Sequence, residues 1–205
     1  RICVKKMKKV LVIGGATLDV IIAYENMEMM EHRSVHASKR YLLLEEGEKI
    51  EVKTQATSTG GGATNAAVSF LKQGLDVRLV CKIGQDLAGQ QVESELQDYG
   101  LETSALAKST LLGTGSSFVV PSLSGDRTIF AYRGANTELL TSDISDELVQ
   151  HADFLYVTSL SQKSAEVLPP LVLRAKALNT RVAVNPGISQ LKLGSSFLKE
   201  ALWGI

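Results

Sequence analysis

The sequence predicts an α/β fold with a mostly parallel sheet, and three features carry that prediction. Short, mainly apolar runs at residues 10–13, 77–83, 153–157 and 181–184 have the length and composition of strands buried on both faces. Helical periodicity separates them, most clearly at Ala63, Ala66, Ala67, Phe70 and Leu71, which form one stripe of mostly small residues. Three successive glycines, Gly60, Gly61 and Gly62, stand directly before that helix, where a backbone must approach something closely.

In chain order, the strand at 10–13 ends in Gly14-Gly15 and delivers a loop to the C-terminal edge of the sheet, where open α/β sheets bind ligands. Asp19 lies just beyond, where a carboxylate either shapes a turn or accepts hydrogen bonds from a ligand. Residues 20–24 suit a strand. Residues 25–40 are charged, rich in methionine and without strand alternation, and are expected to be an insertion or a mobile excursion. His32 and His36 have i, i+4 spacing but neither a third ligand nor a flanking glutamate, so no metal site is expected there. Residues 48–53 alternate charged and apolar side chains, the pattern of a strand with one wet face. Polar residues 54–59 lead from it to the glycines.

The helix after the glycines ends at Gly74 and carries Asn65 in its first turn. The glycines make either a tight entry into a packed helix or a cradle for a hydroxyl-rich or anionic ligand at the helix N-terminus. After the strand at 77–83, Asp86 is placed to cap a helix over 87–99, whose stripe of Val92, Leu96 and Tyr99 stops at Gly100. Residues 115–120 and 127–133 flank a turn-rich linker and predict a hairpin. With the strands near 20 and 50, that hairpin makes a small sheet on the edge of the main fold. Arg133-Gly134-Ala135-Asn136 ends it. Arg133 is either one half of a surface ion pair or, with Asn136, a donor beside Asp19 and Asn65. A short helix within 141–150, a helix over 170–178 and the strand at 181–184 follow, the last closing in Asn185-Pro186-Gly187. An amphipathic helix is expected over 195–203. Ser159 and Ser161 follow a strand, but no base is placed to activate either, which argues against a serine nucleophile.

The run Gly60-Gly61-Gly62-Ala63-Thr64-Asn65, the Gly74 stop, Gly84, Asp86 and Gly89 resemble the first signature of the ribokinase-like carbohydrate kinases, the PfkB superfamily. Gly15 to Asp19, Arg133 to Asn136 and Asn185-Pro186 stand in the family's order, so the resemblance covers about residues 8–186. It implies a three-layer ribokinase-like fold with a small β-sheet lid, the lid segments lying near 19–24, 48–54 and 113–133. It implies a sugar or nucleoside as acceptor, held by Asp19, Gly60, Gly61, Gly62, Asn65, Arg133 and Asn136, with ATP and Mg2+ as cofactors. Family members acting on phosphorylated sugars tend to carry an arginine where this chain has Gly113-Thr114-Gly115, which points to an unphosphorylated acceptor. The lid implies a homodimer surface.

The family's second signature, a glycine-rich loop bearing the catalytic aspartate, does not occur in these residues. Residues 7–205 are therefore expected to be the N-terminal, acceptor-binding part of a kinase domain, truncated at its C-terminus. It would lack a catalytic base and most of the nucleotide site, be inactive alone and leave apolar surface uncovered. Residues 1–6 are expected to be a non-native leader before Met7. Two other readings stand beside this one: a non-catalytic sugar-binding or interaction module, and a Rossmann dinucleotide-binding domain. The last would need its glycines directly after a core strand and a small residue where Asn65 stands.

Across 205 residues, 22 basic and 22 acidic side chains cancel, so no field recruits nucleic acid or an anionic membrane. The two cysteines, Cys3 and Cys81, supply no disulfide framework, and no apolar run reaches membrane-spanning length. A cytoplasmic location is expected.

Overall fold

The computed structural model describes residues 7–23, 28–122, 124–194, 196 and 199. Its first elements are β1 (Lys9–Ile13), β2 (Thr17–Ala23), β3 (Glu28–Arg33), β4 (Ser38–Leu43), β5 (Thr54–Gly60) and α1 (Gly62–Lys72). Then come β6 (Asp76–Val80), β7 (Lys82–Gly84), α2 (Leu87–Asp98), β8 (Ala107–Ser109), β9 (Ser116–Pro121) and β10 (Arg127–Tyr132). The chain continues through α3 (Asp146–His151), β11 (Phe154–Val157), α4 (Leu168–Ala177), β12 (Arg181–Val184) and α5 (Ile188–Lys192), with 3-10 turns at Gly134–Thr137, Thr141–Asp143 and Gln162–Val167.

The core is a four-stranded parallel sheet in the order β12-β11-β1-β6. Its strands have the apolar composition that two-sided burial demands. On one face Val10, Val12, Val77 and Leu79 pack with Ala63 and Ala67 of α1 and Val92 and Leu96 of α2. On the other, Leu11, Ile13, Leu155 and Val157 pack with Val149 of α3 and Leu168, Leu171, Val172 and Ala175 of α4. This is a helix–sheet–helix sandwich, the three layers that the sequence predicts.

The run at 77–83 is not one strand. After Val80 the chain leaves β1, and Lys82–Gly84 pairs instead with β8. Cys81 sits at the break, fully buried, and burial pushes its thiol up to about 12 against a small opposing pull from Lys108. It behaves as a small apolar residue.

A second four-stranded sheet, in the order β10-β9-β2-β5, stands beyond the C-terminal edge of the core. Asp86 caps α2 as expected, accepting from the Gly89 N–H. Two expectations fail here. The excursion at 25–40 contains an antiparallel hairpin of β3 and β4, whose side chains face solvent on both sides; strand alternation arises only where one face is dry. The strand expected at 48–53 lies instead at Thr54–Gly60, in the stretch read as polar connection. β5 is an edge strand exposed along most of its length, so its threonines give β propensity without an apolar period. The alternation at 48–53 has another cause: Ile50 and Val52 line an apolar groove with Ile22, Phe118 and Phe130 without joining a strand. The leader at 1–6 and most of the helix at 195–203 lie outside the described residues.

Candidate functional site

Four loops meet where the parallel strands end. The loop after β1 receives the Ala63 N–H on the Gly15 carbonyl at 3.1 Å, which ties it to the start of α1. Gly61 is the N-cap of α1 with φ 107°, and a Cβ there would stand 2.4 Å from the Gly15 oxygen. Only glycine fits, because both the backbone conformation and the space exclude a side chain. Thr158, just after β11, is buried, and its Oγ1 lies against Gly14 and Gly62; Ser159 packs against Gly187, just after β12. The glycine loop thus touches the ends of β1 and β11 and opens a helix of 11 residues at the ligand edge of the sheet.

Asp19 is on β2, in register with Ser58 of β5 on one side and Ser117 of β9 on the other. The Ser117 hydroxyl donates to Asp19 Oδ1 at 2.7 Å. The other oxygen, Oδ2, lies 1.9 Å from where a Cβ on Gly60 would be, so the carboxylate rests on bare glycine backbone. One Asp19 oxygen is therefore oriented by a serine, while the pair retains free lone pairs for incoming hydroxyl donors. Asp19 and Gly60 are brought together as expected. Ser117 was not foreseen, since nothing local in the sequence tells which hydroxyl will face a strand-borne aspartate.

The remaining residues divide. Asn65 is exposed on the first turn of α1, and its side chain has no protein partner among the described residues. Arg133 is also exposed, with its side chain unpartnered among the described residues, which removes the ion-pair alternative there. Asn136 departs from its expected role as an open donor. It is 7% exposed, its Oδ1 accepts from the Ala16 N–H at 2.9 Å, and its Nδ2 donates to the Ala16 carbonyl at 2.7 Å. A buried amide must satisfy its polar atoms, and this one does so by fixing the loop between β1 and β2. It positions the strand that bears Asp19.

Gly84, Asp86 and Gly89 form a separate knot around Thr114. Asp86 Oδ2 accepts from the Thr114 N–H at 2.8 Å, and Oδ1 accepts from the Thr114 hydroxyl at 2.5 Å and from Gly89 N–H at 2.8 Å. Burial pushes the Asp86 carboxyl up, but the hydrogen bonds from Thr114, Gly89 and its own backbone outweigh that and hold it below the usual carboxylate range. His32 is on β3 opposite Lys39. Among the described residues no group of three or more His, Cys, Asp and Glu could hold a metal ion, and no helix is long and apolar enough to cross a membrane. A cavity of about 430 Å³, lined by Lys9, Asp76, Arg78 and His151, lies at the opposite end of the sheet, where β1 and β6 begin.

The dinucleotide reading loses its footing: Gly60 closes a strand of the second sheet, not of the parallel core. A parallel three-layer core with a β lid beyond its C-terminal edge is the ribokinase-like fold. Residues 7–195 match the pfkB family carbohydrate kinases. The chain belongs to that family. It is 24% identical over 181 residues to ribokinase of Staphylococcus aureus, covering 87% of this chain and 54% of that one. Ribokinase of Bacillus subtilis is 24% identical over 133 residues, 65% of this chain and 40% of that one. The chain thus spans about half the length, or less, of these relatives. Among solved structures, a carbohydrate kinase from Agrobacterium tumefaciens superposes with a TM-score of 0.74 at 24% identity, over 97% of this chain and 59% of that one. Arabidopsis thaliana ribokinase, complexed with ribose and ATP, gives 0.70 at 21% identity, over 87% and 53%.

Proposed function

We propose that this chain is the acceptor-binding half of an ATP-dependent kinase that phosphorylates a hydroxyl of an unphosphorylated sugar or nucleoside. The observation that carries the proposal is the Asp19 carboxylate, oriented by Ser117 and laid over Gly60 at the ligand edge of the core. A carboxylate with free lone pairs suits two neighbouring hydroxyls, and the bare backbone of Gly60–Gly62 lets a sugar ring lie close. Asn65 and Arg133, exposed and without side-chain partners among the described residues, would supply further donors, and Asn136 holds the β1–β2 loop in place.

ATP and Mg2+ would supply the phosphoryl group and its charge neutralisation. The described residues do not fit them: no group of three or more His, Cys, Asp and Glu could hold a metal ion, and no second glycine-rich loop with an aspartate follows Asn185 in the sequence. No phosphoryl-transfer step is therefore assigned to these residues, and the 205-residue chain is expected to bind acceptor without turning it over. The lid also offers a surface for a second copy, because β10 is an open edge and Phe118, Ile129, Phe130 and Tyr132 are about half exposed.

Calorimetric titration with D-ribose, 2-deoxy-D-ribose, D-fructose and adenosine tests the reading. At least one should bind, and Asp19→Asn should weaken it by about tenfold or more, the loss of a charge-assisted hydrogen bond. Absence of binding by all four, or indifference to Asp19→Asn, would sink the acceptor site. ATP-dependent turnover by the chain alone would sink the assignment as a half.

A further inference from the structure

We propose that helix α2 is the mount of the lid, with Asp86 and Glu95 as positioning residues that fix two lid strands to the core and so place Asp19. The helix has two loyalties. Val92 and Leu96 are fully buried against the parallel sheet, which makes α2 part of the core. Its polar residues reach the other way.

Glu95 Oε2 accepts from both the N–H of Thr59, at 2.9 Å, and the Thr59 hydroxyl, at 2.7 Å. One turn earlier, Gln91 Nε2 donates to the Thr57 hydroxyl at 3.2 Å. Both threonines belong to β5, an edge strand that among the described residues pairs with β2 alone, so Glu95 satisfies a backbone N–H that the sheet leaves open. At the other end of the helix the two Asp86 oxygens grip the Thr114 N–H and hydroxyl, just before β9 begins. Thr114 Oγ1 in turn accepts from the Gly84 N–H at 2.9 Å.

β5 and β9 are the two neighbours of β2. Asp19 pairs with Ser58, adjacent to the clamped Thr59, and with Ser117 of β9, which lies shortly after the clamped Thr114 and holds the carboxylate. Any shift of α2 relative to the lid therefore reaches Asp19 from both sides through backbone register rather than through a single contact. Glycines at 84, 89 and 134 keep the Thr114 end tight: a Cβ on Gly84 would stand 2.6 Å from the Thr114 nitrogen, and one on Gly134 would stand 2.2 Å from the Gly113 oxygen.

Amide hydrogen exchange on the 205-residue chain tests the clamp without any ligand. Asp86→Asn separates its two tasks, because asparagine caps a helix as well as aspartate but presents a donor, not an acceptor, to the Thr114 N–H. Glu95→Ala removes the oxygen that accepts from Thr59, is remote from the cap and keeps the test readable if Asp86→Asn fails to fold. Each substitution should speed exchange in β2, β5 and β9 by about tenfold, with β1, β11 and α4 unchanged. Thr114→Ser should retain protection and Thr114→Val should lose it. Unchanged lid exchange in both carboxylate variants, or a uniform rise across lid and core, would overturn the proposal. The effect on acceptor affinity rests on the kinase reading: Glu95→Ala should weaken D-ribose binding while leaving the melting temperature within a few degrees. Failure of the unsubstituted chain to bind D-ribose or the other acceptors would count against that reading alone, since the exchange result stands by itself.

Discussion

The two four-stranded sheets of this molecule are held by different forces. In the core, Leu11, Val12, Ile13, Leu155 and Val157 have no solvent exposure, and burial of each such side chain contributes on the order of 1.5–3 kcal/mol. In the lid, every residue of β10 is exposed and β5 is wet up to its last two positions. What holds the lid is pairing between strands, the packing of Leu18 against the core and a few side-chain hydrogen bonds from α2, each of these bonds with a net contribution of about 1 kcal/mol. The contrast fits the proposed acceptor site: the glycine loop is tied to the core strands, whereas a cover with few buried apolar contacts is expected to loosen before the core unfolds.

Truncating one large side chain in each sheet tests that contrast most severely. Leu11→Ala or Leu155→Ala should cost about 2–5 kcal/mol in denaturant unfolding, by lost transfer energy plus a cavity that the packed sheet cannot close. Phe130→Ala in β10, where the ring is 53% exposed, should cost no more than about 1 kcal/mol. Equal losses at the two places would mean that the lid is part of one cooperative core.

Gly60→Ala sharpens the comparison at the seam. The added Cβ would overlap Asp19 Oδ2, and Thr17 Oγ1 is only 3.0 Å away, so the carboxylate must turn off the glycine. Acceptor affinity should fall by about tenfold or more, since an aligned charge-assisted hydrogen bond is lost, with a stability change of no more than about 1–2 kcal/mol. If affinity were unaffected, Asp19 would not contact the acceptor from its position over Gly60.

The core was legible in the sequence because its physics is one-dimensional. An apolar run such as 10–13, or the small-residue stripe from Ala63 to Leu71, states its burial in local periodicity. The lid was legible only in part. Its hairpin, β9 and β10, announced itself through the turn between, but β5 carries no apolar alternation, and the hairpin of β3 and β4 is wet on both faces. At the site, Asp19 and the glycines could be named from motif and position, whereas Ser117, Glu95 and the Asp86–Thr114 grip join residues distant in the chain. The position of Asn136 suggests a ligand contact, and only the fold reveals that each end of its amide also holds the β1–β2 loop.

The smallest expected effect concerns pH, and it too separates lid from core. Asp86 has a folded pKa below its unfolded value because the hydrogen bonds from Thr114, Gly89 and its own backbone outweigh desolvation. A depressed carboxyl pKa contributes stability that is fully present above the unfolded value of about 3.9 and is lost as pH falls through the folded value. Glu31 is also depressed, by hydrogen bonds from Arg33 and Ser38, but it stands in solvent on the hairpin of β3 and β4, where screening leaves such pairs with little net effect. The gap in melting temperature between the unsubstituted chain and Asp86→Asn should therefore be widest above about pH 5 and narrow as pH falls below the unfolded value of about 3.9 and through the folded one, because a protonated aspartate is nearly isosteric with asparagine. A gap that stayed constant over that range would mean that the grip on Thr114 depends on shape rather than charge, and the root of the lid would then owe its position to glycine packing around Gly84 and Gly134.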